Sequence, residues 1–136
     1  MFLVVDASLW VARLVPQDAF HARVRLWMET RLLAGTEFVA PALLLAETAG
    51  AISRRTGDAL LAARAVELLE RLPGLRLVEM DDTLMEAAAG LAAGLGLRAA
   101  DSVYVAVASR LNIPLATLDA DQRARAARRF SCIEIP

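Results

Sequence analysis

The stretch Phe2-Leu3-Val4-Val5-Asp6-Ala7-Ser8 decides the fold, because it joins an apolar run directly to a carboxylate. The run contains two β-branched valines and predicts a short buried strand that ends at Asp6. Ligands of parallel sheets bind outside the carboxyl ends of the strands, so a carboxylate there faces a candidate site. Aspartate is also a favoured helix N-cap, and Ser8 could cap the next helix as well. From this stretch alone, Asp6 is either a helix cap or a site residue.

Length and composition favour one small domain covering residues 1–136, since domains cluster near ~100–150 residues. Although 57% of the residues are apolar, the uncharged run at residues 87–97 is far shorter than the ~20 residues of a membrane-spanning helix. We therefore expect no membrane segment. A single cysteine excludes an intrachain disulfide, and no basic, cleavable leader opens the sequence. These features predict a cytoplasmic protein.

The charged residues exclude several classes of protein. All 15 basic residues are arginines, so the chain has no lysine for a Walker A loop or a Schiff base. One histidine and one cysteine are too few for a zinc site of the usual kind. The net charge of −1 gives no general electrostatic case for nucleic-acid binding, so phosphate contacts would have to come from local arginines.

Strand-like and helix-like segments alternate along the whole chain. The predicted strands are residues 2–5, 37–40, 75–79, 115–119 and 131–135. This order predicts an α/β fold with a parallel sheet of about five strands and helices on both faces. We place Pro41 at the first position of a helix, where a missing N–H costs nothing. Residues 81–83 open another helix, where we assign Asp81 and Asp82 to capping and where Thr83 with Glu86 fits a capping box.

Four acidic residues stand apart from those expected in caps or on solvated faces. Asp6 and Asp119 each end a predicted strand, whereas Glu47 and Asp101 are the single acids of two strongly apolar helices. Parallel strands end at one edge of the sheet, and the helices that follow them begin at that edge. We therefore expect the four carboxylates to converge.

Converging carboxylates repel one another and need a cation to remain ionised together. With almost no nitrogen or sulfur ligand available, the expected cation is Mg²⁺ or Mn²⁺, which prefers oxygen ligands. Such a site suits phosphoryl chemistry. The nearby segment 123–129 contains four arginines, of which Arg123 and Arg125 are candidate phosphate contacts. A solvated helix face explains this segment equally well.

At these residues the chain resembles a known family. The motifs that carry the resemblance are Val4-Val5-Asp6-Ala7-Ser8, then Pro41 and Glu47, then Ala100-Asp101-Ser102-Val103-Tyr104-Val105-Ala106, then Ala116-Thr117-Leu118-Asp119-Ala120-Asp121. They are similar to the motifs of PIN-domain ribonucleases, and the length is similar to that of the VapC toxins of toxin–antitoxin pairs. The resemblance covers the whole chain. It departs at Gln122, where an aromatic residue is expected.

The resemblance implies a Mg²⁺- or Mn²⁺-dependent endoribonuclease that hydrolyses RNA phosphodiester bonds. The implied metal ligands and catalytic residues are Asp6, Asp101, Asp119 and Glu47, the last binding directly or through water. By the same resemblance, Ser8 and Thr117 would orient the ligands or the attacking water, and Asp121 would assist. The family also implies a homodimer and an antitoxin protein partner.

Two other classes of protein fail on the residues present. A haloacid-dehalogenase-type phosphatase needs a second aspartate where this chain has Ser8, and it needs a lysine. A response-regulator receiver needs the lysine as well. The alternative that the sequence leaves open is a catalytically silent PIN fold that binds RNA or a partner protein.

Overall fold

The computed structural model describes residues 1–133, which form five strands and seven helices. The strands are β1 (Phe2–Val5), β2 (Glu37–Pro41), β3 (Leu75–Val78), β4 (Leu115–Ala116) and β5 (Cys132–Ile133). The helices are α1 (Ala7–Leu14), α2 (His21–Leu33), α3 (Leu43–Thr56), α4 (Ala59–Arg71), α5 (Asp82–Leu95), α6 (Ala99–Leu111) and α7 (Ala120–Ala126). The alternation of strands and helices confirms the predicted α/β class.

The five strands form one parallel sheet in the order β3-β2-β1-β4-β5. The decisive neighbours are β1 and β4, because Asp6 and Asp119 follow these two strands. Val5 pairs with Ala116, and the Asp6 N–H donates to the Ala116 carbonyl at 3.2 Å. The two strands therefore lie side by side and end at one edge of the sheet, which the sequence required for convergence but did not decide.

Both faces of the central strands are covered. Leu3, Val4 and Val5 point alternately to opposite sides of the sheet, and none of them is exposed. The neighbouring β2 places Phe38 in an aromatic cluster, where Trp10 meets its ring edge-on at 5.8 Å. A parallel sheet buried on both sides is the predicted architecture, and it makes the edge above the strand ends the natural place for a site.

Helix α6 brings its first turn to that edge. Residues 102–108 of α6 are all buried, which confirms the prediction of a core helix. The helix is reached through Gly96, whose φ of 66° lies in the left-handed region that glycine adopts without strain. Arg98 then forms the N-cap position, and Asp101 lies in the first turn.

One predicted helix start and one predicted capping box are wrong. Pro41 pairs with Val78 as the last residue of β2, so α3 begins only at Leu43. Helix α5 is capped by Asp81, whose carboxylate accepts from the Leu84 N–H at 2.8 Å, which confirms the capping role predicted for Asp81. The Thr83–Glu86 capping box is wrong, because Thr83 already lies inside the helix.

Strand β4 is shorter than predicted, and β5 begins one residue later than predicted. Strand β4 stops at Ala116, so Asp119 caps α7 and does not end a strand. Strand β5 is seen at Cys132–Ile133, and the rest of the predicted strand at residues 134–135 lies outside the described residues.

Across residues 1–133 no single helix has the length and apolar character to cross a membrane. Helices α5 and α6 reach that length only as a pair, with a bend of 111° at the break between them.

Candidate active site

Asp6 is the buried centre of the sheet edge. Only 4% of the residue is exposed, and its backbone forms the N-cap of α1. Its Oδ1 accepts from the Ser8 hydroxyl at 2.5 Å and from the Ser8 N–H at 3.1 Å, while Oδ2 accepts from the Thr117 hydroxyl at 2.5 Å. Asp6 therefore caps a helix, as one interpretation predicts, and it also lies at the point where β1 and β4 end, so its role as a site residue stays a prediction. A cap on an exposed helix needs no such burial.

Thr117 and Gln122 connect Asp6 to helix α7. The Thr117 Oγ1 lies 2.5 Å from Asp6 Oδ2, 2.9 Å from the Gln122 side-chain amide and 3.0 Å from the Asp119 N–H. The Thr117 hydroxyl has a single proton, and it donates this proton in the hydrogen bond to the Asp6 carboxylate. Thr117 can therefore only accept a hydrogen bond from Gln122. A half-turn of the Gln122 amide then lets Nε2 donate to Thr117, and this supplies a partner to a nitrogen otherwise buried without one among residues 1–133. Gln122, the departure from the family pattern, thus supports the site.

Replacing Gln122 by alanine should destabilise the protein by about 2–3 kcal/mol. The side chain is 1% exposed, so its removal leaves a cavity and removes the hydrogen bond to Thr117. Urea denaturation measures the loss, and Gln122→Met is the control because it keeps most of the volume. The methionine variant should lose clearly less than the alanine variant. An unchanged unfolding free energy in Gln122→Ala would contradict the packing role.

Glu47 approaches the same edge from α3. Its Oε1 accepts from the Tyr104 hydroxyl at 2.7 Å, and Tyr104 itself is buried in α6. Burial raises the pKa of Glu47, the hydrogen bond from Tyr104 opposes that rise, and the charge of Asp101 adds to it. Glu47 is thus held by a neutral donor and remains next to another carboxylate.

Asp101 and Asp119 are bridged by Arg98. The guanidinium contacts Asp101 Oδ2 through Nε at 3.0 Å and Asp119 Oδ2 through Nη2 at 2.5 Å. The Arg98 side chain is 72% exposed, whereas those of Asp101 and Asp119 are 17% and 28% exposed. Asp119 also caps α7 by accepting from the Gln122 N–H at 3.0 Å. The Arg98 guanidinium, which extends in from the solvent, therefore lies between Asp101 and Asp119, two of the predicted metal ligands.

Asp101 is the carboxylate through which the others interact. Burial raises the pKa of Asp6 to about 6, the Ser8 and Thr117 hydrogen bonds oppose that rise, and the charge of Asp101 adds to it. Burial likewise raises the pKa of Asp101, Arg98 opposes this, and the charges of Asp119 and Asp121 add to the rise. Because the charge of Asp101 acts on Asp6 and on Glu47, these carboxylates are close enough to repel.

The residues present fit a hard divalent cation by their chemistry. The side chains at the edge offer carboxylate and hydroxyl oxygens, which are the ligands of Mg²⁺ and Mn²⁺. As placed in residues 1–133, no three acidic, histidine or cysteine side chains are grouped closely enough to hold an ion. The exposed Arg98 stands between Asp101 and Asp119 instead. Binding a cation here requires this long side chain to turn away into solvent.

Removing the Arg98 charge should therefore strengthen divalent-cation binding. Exposed ion pairs contribute about 0.2–1 kcal/mol, so Arg98→Gln should lower the dissociation constant for Mn²⁺ by up to about fivefold. Calorimetric titration of the metal-free protein measures this. Arg110→Gln is the matched control, since Arg110 pairs with Asp81 outside this edge. Weaker binding in Arg98→Gln than in the control would contradict the competition.

Three predicted residues lie at the margin of this edge. Asp121 is 69% exposed and accepts from Arg125 Nε, while Arg125 Nη1 reaches the Leu95 carbonyl at 3.5 Å. Arg123 is half-buried in α7 and its carbonyl faces the Cys132 thiol. The roles of Asp121, Arg123 and Arg125 stay predictions.

Sequence reasoning assigned no role to Arg98, Tyr104 or Gln122. Arg98 precedes Asp101 by three residues, the spacing of ion pairs on a helix, so the pair was available from the sequence. Tyr104 follows Asp101 by three residues and shares its helix face. Gln122 gave no signal beyond its unexpected identity, because its burial depends on where α7 packs.

The chain belongs to the PIN domain family, whose model matches residues 3–128. This confirms the predicted resemblance and the single α/β domain that it implies. No curated protein matched the sequence.

Solved structures share the fold over nearly the whole chain. VapC20 of Mycobacterium tuberculosis, described as a sarcin-ricin loop cleaving toxin, is 24% identical with a TM-score of 0.74, over 90% of this chain and 93% of that one. FitAcB from Neisseria gonorrhoeae is 21% identical with a TM-score of 0.70, over 97% and 96%. VapBC2 from Rickettsia felis, bound to a promoter DNA fragment, is 12% identical with a TM-score of 0.74, over 98% of both. At these identities the likeness establishes the fold.

Proposed function

We propose that this chain is a metal-dependent endoribonuclease and the toxin of a VapBC-type toxin–antitoxin pair. The observation that carries the proposal is the buried carboxylate of Asp6, with a pKa raised to about 6, beside the partly buried carboxylate of Asp101. A fold gains no stability from such an arrangement, because burial and repulsion both disfavour the charged forms. Strongly perturbed acids at a strand edge are typical of functional sites.

The ligands of Mg²⁺ or Mn²⁺ would be Asp6, Asp101 and Asp119, with Glu47 binding directly or through water. When bound, the cation would neutralise the charge of the scissile phosphate and lower the pKa of a water molecule. Ser8 and Thr117 hold both oxygens of Asp6 and so fix the direction of its carboxylate. Hydroxyls in this position restrict a ligand to one orientation, which strengthens metal binding.

The toxin assignment rests on the family and on the kinds of proteins that share the fold. Several of these are toxin–antitoxin complexes, including VapBC-1 from Haemophilus influenzae at 16% identity and a TM-score of 0.69. We propose by the same reasoning that the present chain binds a protein antitoxin, forms a homodimer and is cytoplasmic. Among solved relatives, VapC20 is described as cutting the sarcin-ricin loop, which supports RNA as the substrate class.

Purified protein should cut RNA only when a divalent cation is present. A panel of structured RNAs is incubated with the protein in EDTA, then after addition of Mg²⁺ or Mn²⁺, and the cut sites are mapped. We expect discrete cuts that need the cation and stop when EDTA is restored. Binding of RNA without any cut under all conditions would support the catalytically silent module and reject the nuclease.

A further inference from the structure

The Glu47 side chain is held by one polar contact in the described part of the chain. Its Oε1 accepts from the Tyr104 hydroxyl at 2.7 Å, and neither of its oxygens forms an ion pair with residues 1–133. Oε2 has no hydrogen-bond partner among the same residues. Glu47 lines the same cavity as Ser8 and Asp119, so its second oxygen is available at the acidic edge.

The donor in this contact is fixed by the core of the protein. Tyr104 is buried in the middle of α6 and belongs to the main apolar cluster, so the packing of its ring sets the direction of its hydroxyl. A phenol is neutral at pH 7 and has one proton to donate. Tyr104 therefore presents a rigid donor to a glutamate that is only partly buried.

Little else joins the two helices that carry these residues. Helix α3 packs on α1, α4 and β2, whereas α6 packs on α5, β1, β2 and β4. Within residues 1–133, α3 and α6 share little direct packing with each other. The hydrogen bond between Tyr104 and Glu47 therefore links two helices that each carry a predicted metal ligand and that packing leaves separate.

Other forces on Glu47 favour a side chain that turns away from the acidic edge. Burial raises the pKa of Glu47 and the charge of Asp101 adds to this rise, so the two carboxylates repel when both are ionised. Fixing a long glutamate side chain also costs rotamer entropy. The hydrogen bond from Tyr104 opposes both effects, because it keeps the carboxylate at the edge before any cation binds.

We propose that Tyr104 is a positioning residue for Glu47, which it holds through Oε1 so that Oε2 is left for the cation or for a water bound to it. Tyr104 itself contacts neither the cation nor the RNA. Asp101 lies three residues before Tyr104, so α6 supplies one ligand and also fixes the ligand from α3. The inference rests on the proposed metal-dependent function and adds a residue to its machinery.

Calorimetric titration with Mn²⁺ tests this role without a cleavage assay. Tyr104→Phe keeps the ring and removes only the hydroxyl, and it should raise the dissociation constant about 10- to 100-fold, the usual effect of losing a group that orients a metal ligand. In the Glu47→Ala background the same substitution should cause no further loss, because no carboxylate remains to be held. Losses that simply add would overturn the inference, since Tyr104 would then act without Glu47.

Thr48→Val is the matched control for Tyr104→Phe. Thr48 follows Glu47 on α3, is fully buried, and its Oγ1 has no hydrogen-bond partner among residues 1–133. The variant therefore removes a buried hydroxyl next to Glu47 without removing a contact to it, and its Mn²⁺ affinity should equal that of the unmodified protein. Thermal melting verifies the folding of each variant. An equal loss of affinity in the two variants would overturn the positioning role.

A spectroscopic measurement reads the same hydrogen bond with no substitution of Tyr104. Tyr104 is the only tyrosine in the chain, and the intensity ratio of two ring bands in a Raman spectrum reports the hydrogen bonding of a tyrosine hydroxyl. The ratio should indicate a strong donor with and without Mn²⁺, and it should change in Glu47→Ala. An unchanged ratio in Glu47→Ala, or a ratio that Mn²⁺ shifts to the value of that variant, would overturn the inference.

The outcomes separate this inference from the proposed function. If Tyr104→Phe weakens Mn²⁺ binding as expected but the unmodified protein never cuts RNA, the positioning role stands and the nuclease is rejected. If the unmodified protein cuts RNA with Mn²⁺ but Tyr104→Phe binds the cation equally well, the nuclease stands and the positioning role is overturned. No binding of Mn²⁺ by the unmodified protein would overturn both.

Discussion

Asp101→Asn is expected to abolish RNA cleavage while the protein stays folded. Asp101 is electrostatically coupled to Asp6 and Glu47, and its own pKa responds to Asp119 and Asp121. Replacing it with a neutral amide removes one of the charges that would hold the cation. The loss should be at least about 10²–10³-fold, the usual effect of removing one charge-stabilising group from an active site.

The control for this variant is Asp82→Asn. Asp82 also lies in the first turn of a helix, α5, but it is exposed and makes no contact with the acidic edge in residues 1–133. Cleavage rates are compared at saturating Mg²⁺, and melting curves verify folding. Cleavage by Asp101→Asn at the rate of Asp82→Asn would remove Asp101 from the catalytic centre.

Asp6→Asn should stabilise the metal-free protein at pH 8 while it abolishes cleavage. The ordinary aspartate pKa of 3.8 is raised to about 6 in the folded state, so the folded protein binds the proton more tightly than the unfolded chain. Stability is therefore lost as the pH rises from about 4 to about 6, and the loss is complete above that. At 1.36 kcal/mol per pKa unit, Asp6→Asn should recover up to about 3 kcal/mol at pH 8.

The pH dependence distinguishes this effect from capping. Asparagine caps helices as well as aspartate does, so a residue that only caps should tolerate the change. Asp58→Asn is the control, because Asp58 is an exposed N-cap that accepts from the Leu61 N–H at 3.0 Å. Thermal melting in EDTA at pH 8 and pH 4 measures both variants. The gain of Asp6→Asn should disappear at pH 4. If Asp6→Asn is no more stable than the unmodified protein at pH 8, burial of the charged Asp6 carboxylate does not destabilise the fold.

The sequence predicted the sheet because its apolar runs are short and end in acids or turn residues. It also predicted that Asp6 and Asp119 lie at one edge of the sheet, but it left open whether β1 and β4 are neighbours, and the pairing of Val5 with Ala116 shows that they are. Helix α6 was recognisable as buried, since apolar residues surround its single acid. The strands and the buried helix could be predicted because each depends on a pattern of apolar residues within one short segment.

Element ends were harder to predict, because one residue can suit two roles and two nearby residues can suit the same role. Pro41 suits a helix start and also a strand end, and its pairing with Val78 decides for the strand. Asp81 and Thr83 both suit an N-cap, and Asp81 accepts the free N–H of Leu84. The preference of each residue is weak compared with the packing of the whole element.

The missing parts of the site are contacts between distant elements. Tyr104 reaches Glu47 across 57 positions, and Arg98 reaches Asp119 across 21. Gln122 is buried only because α7 folds back over Thr117. No periodicity in the chain encodes such contacts, whereas the acids themselves were visible from their apolar surroundings.

Calorimetric titration of the EDTA-treated protein with Mn²⁺ tests the central claim, that the carboxylates at this sheet edge form a divalent-cation site. The unmodified protein should bind Mn²⁺ with saturable heat, and the Asp101→Asn variant should show none over the same range. Equal binding by the two proteins, or no binding by the unmodified one, would contradict the claim.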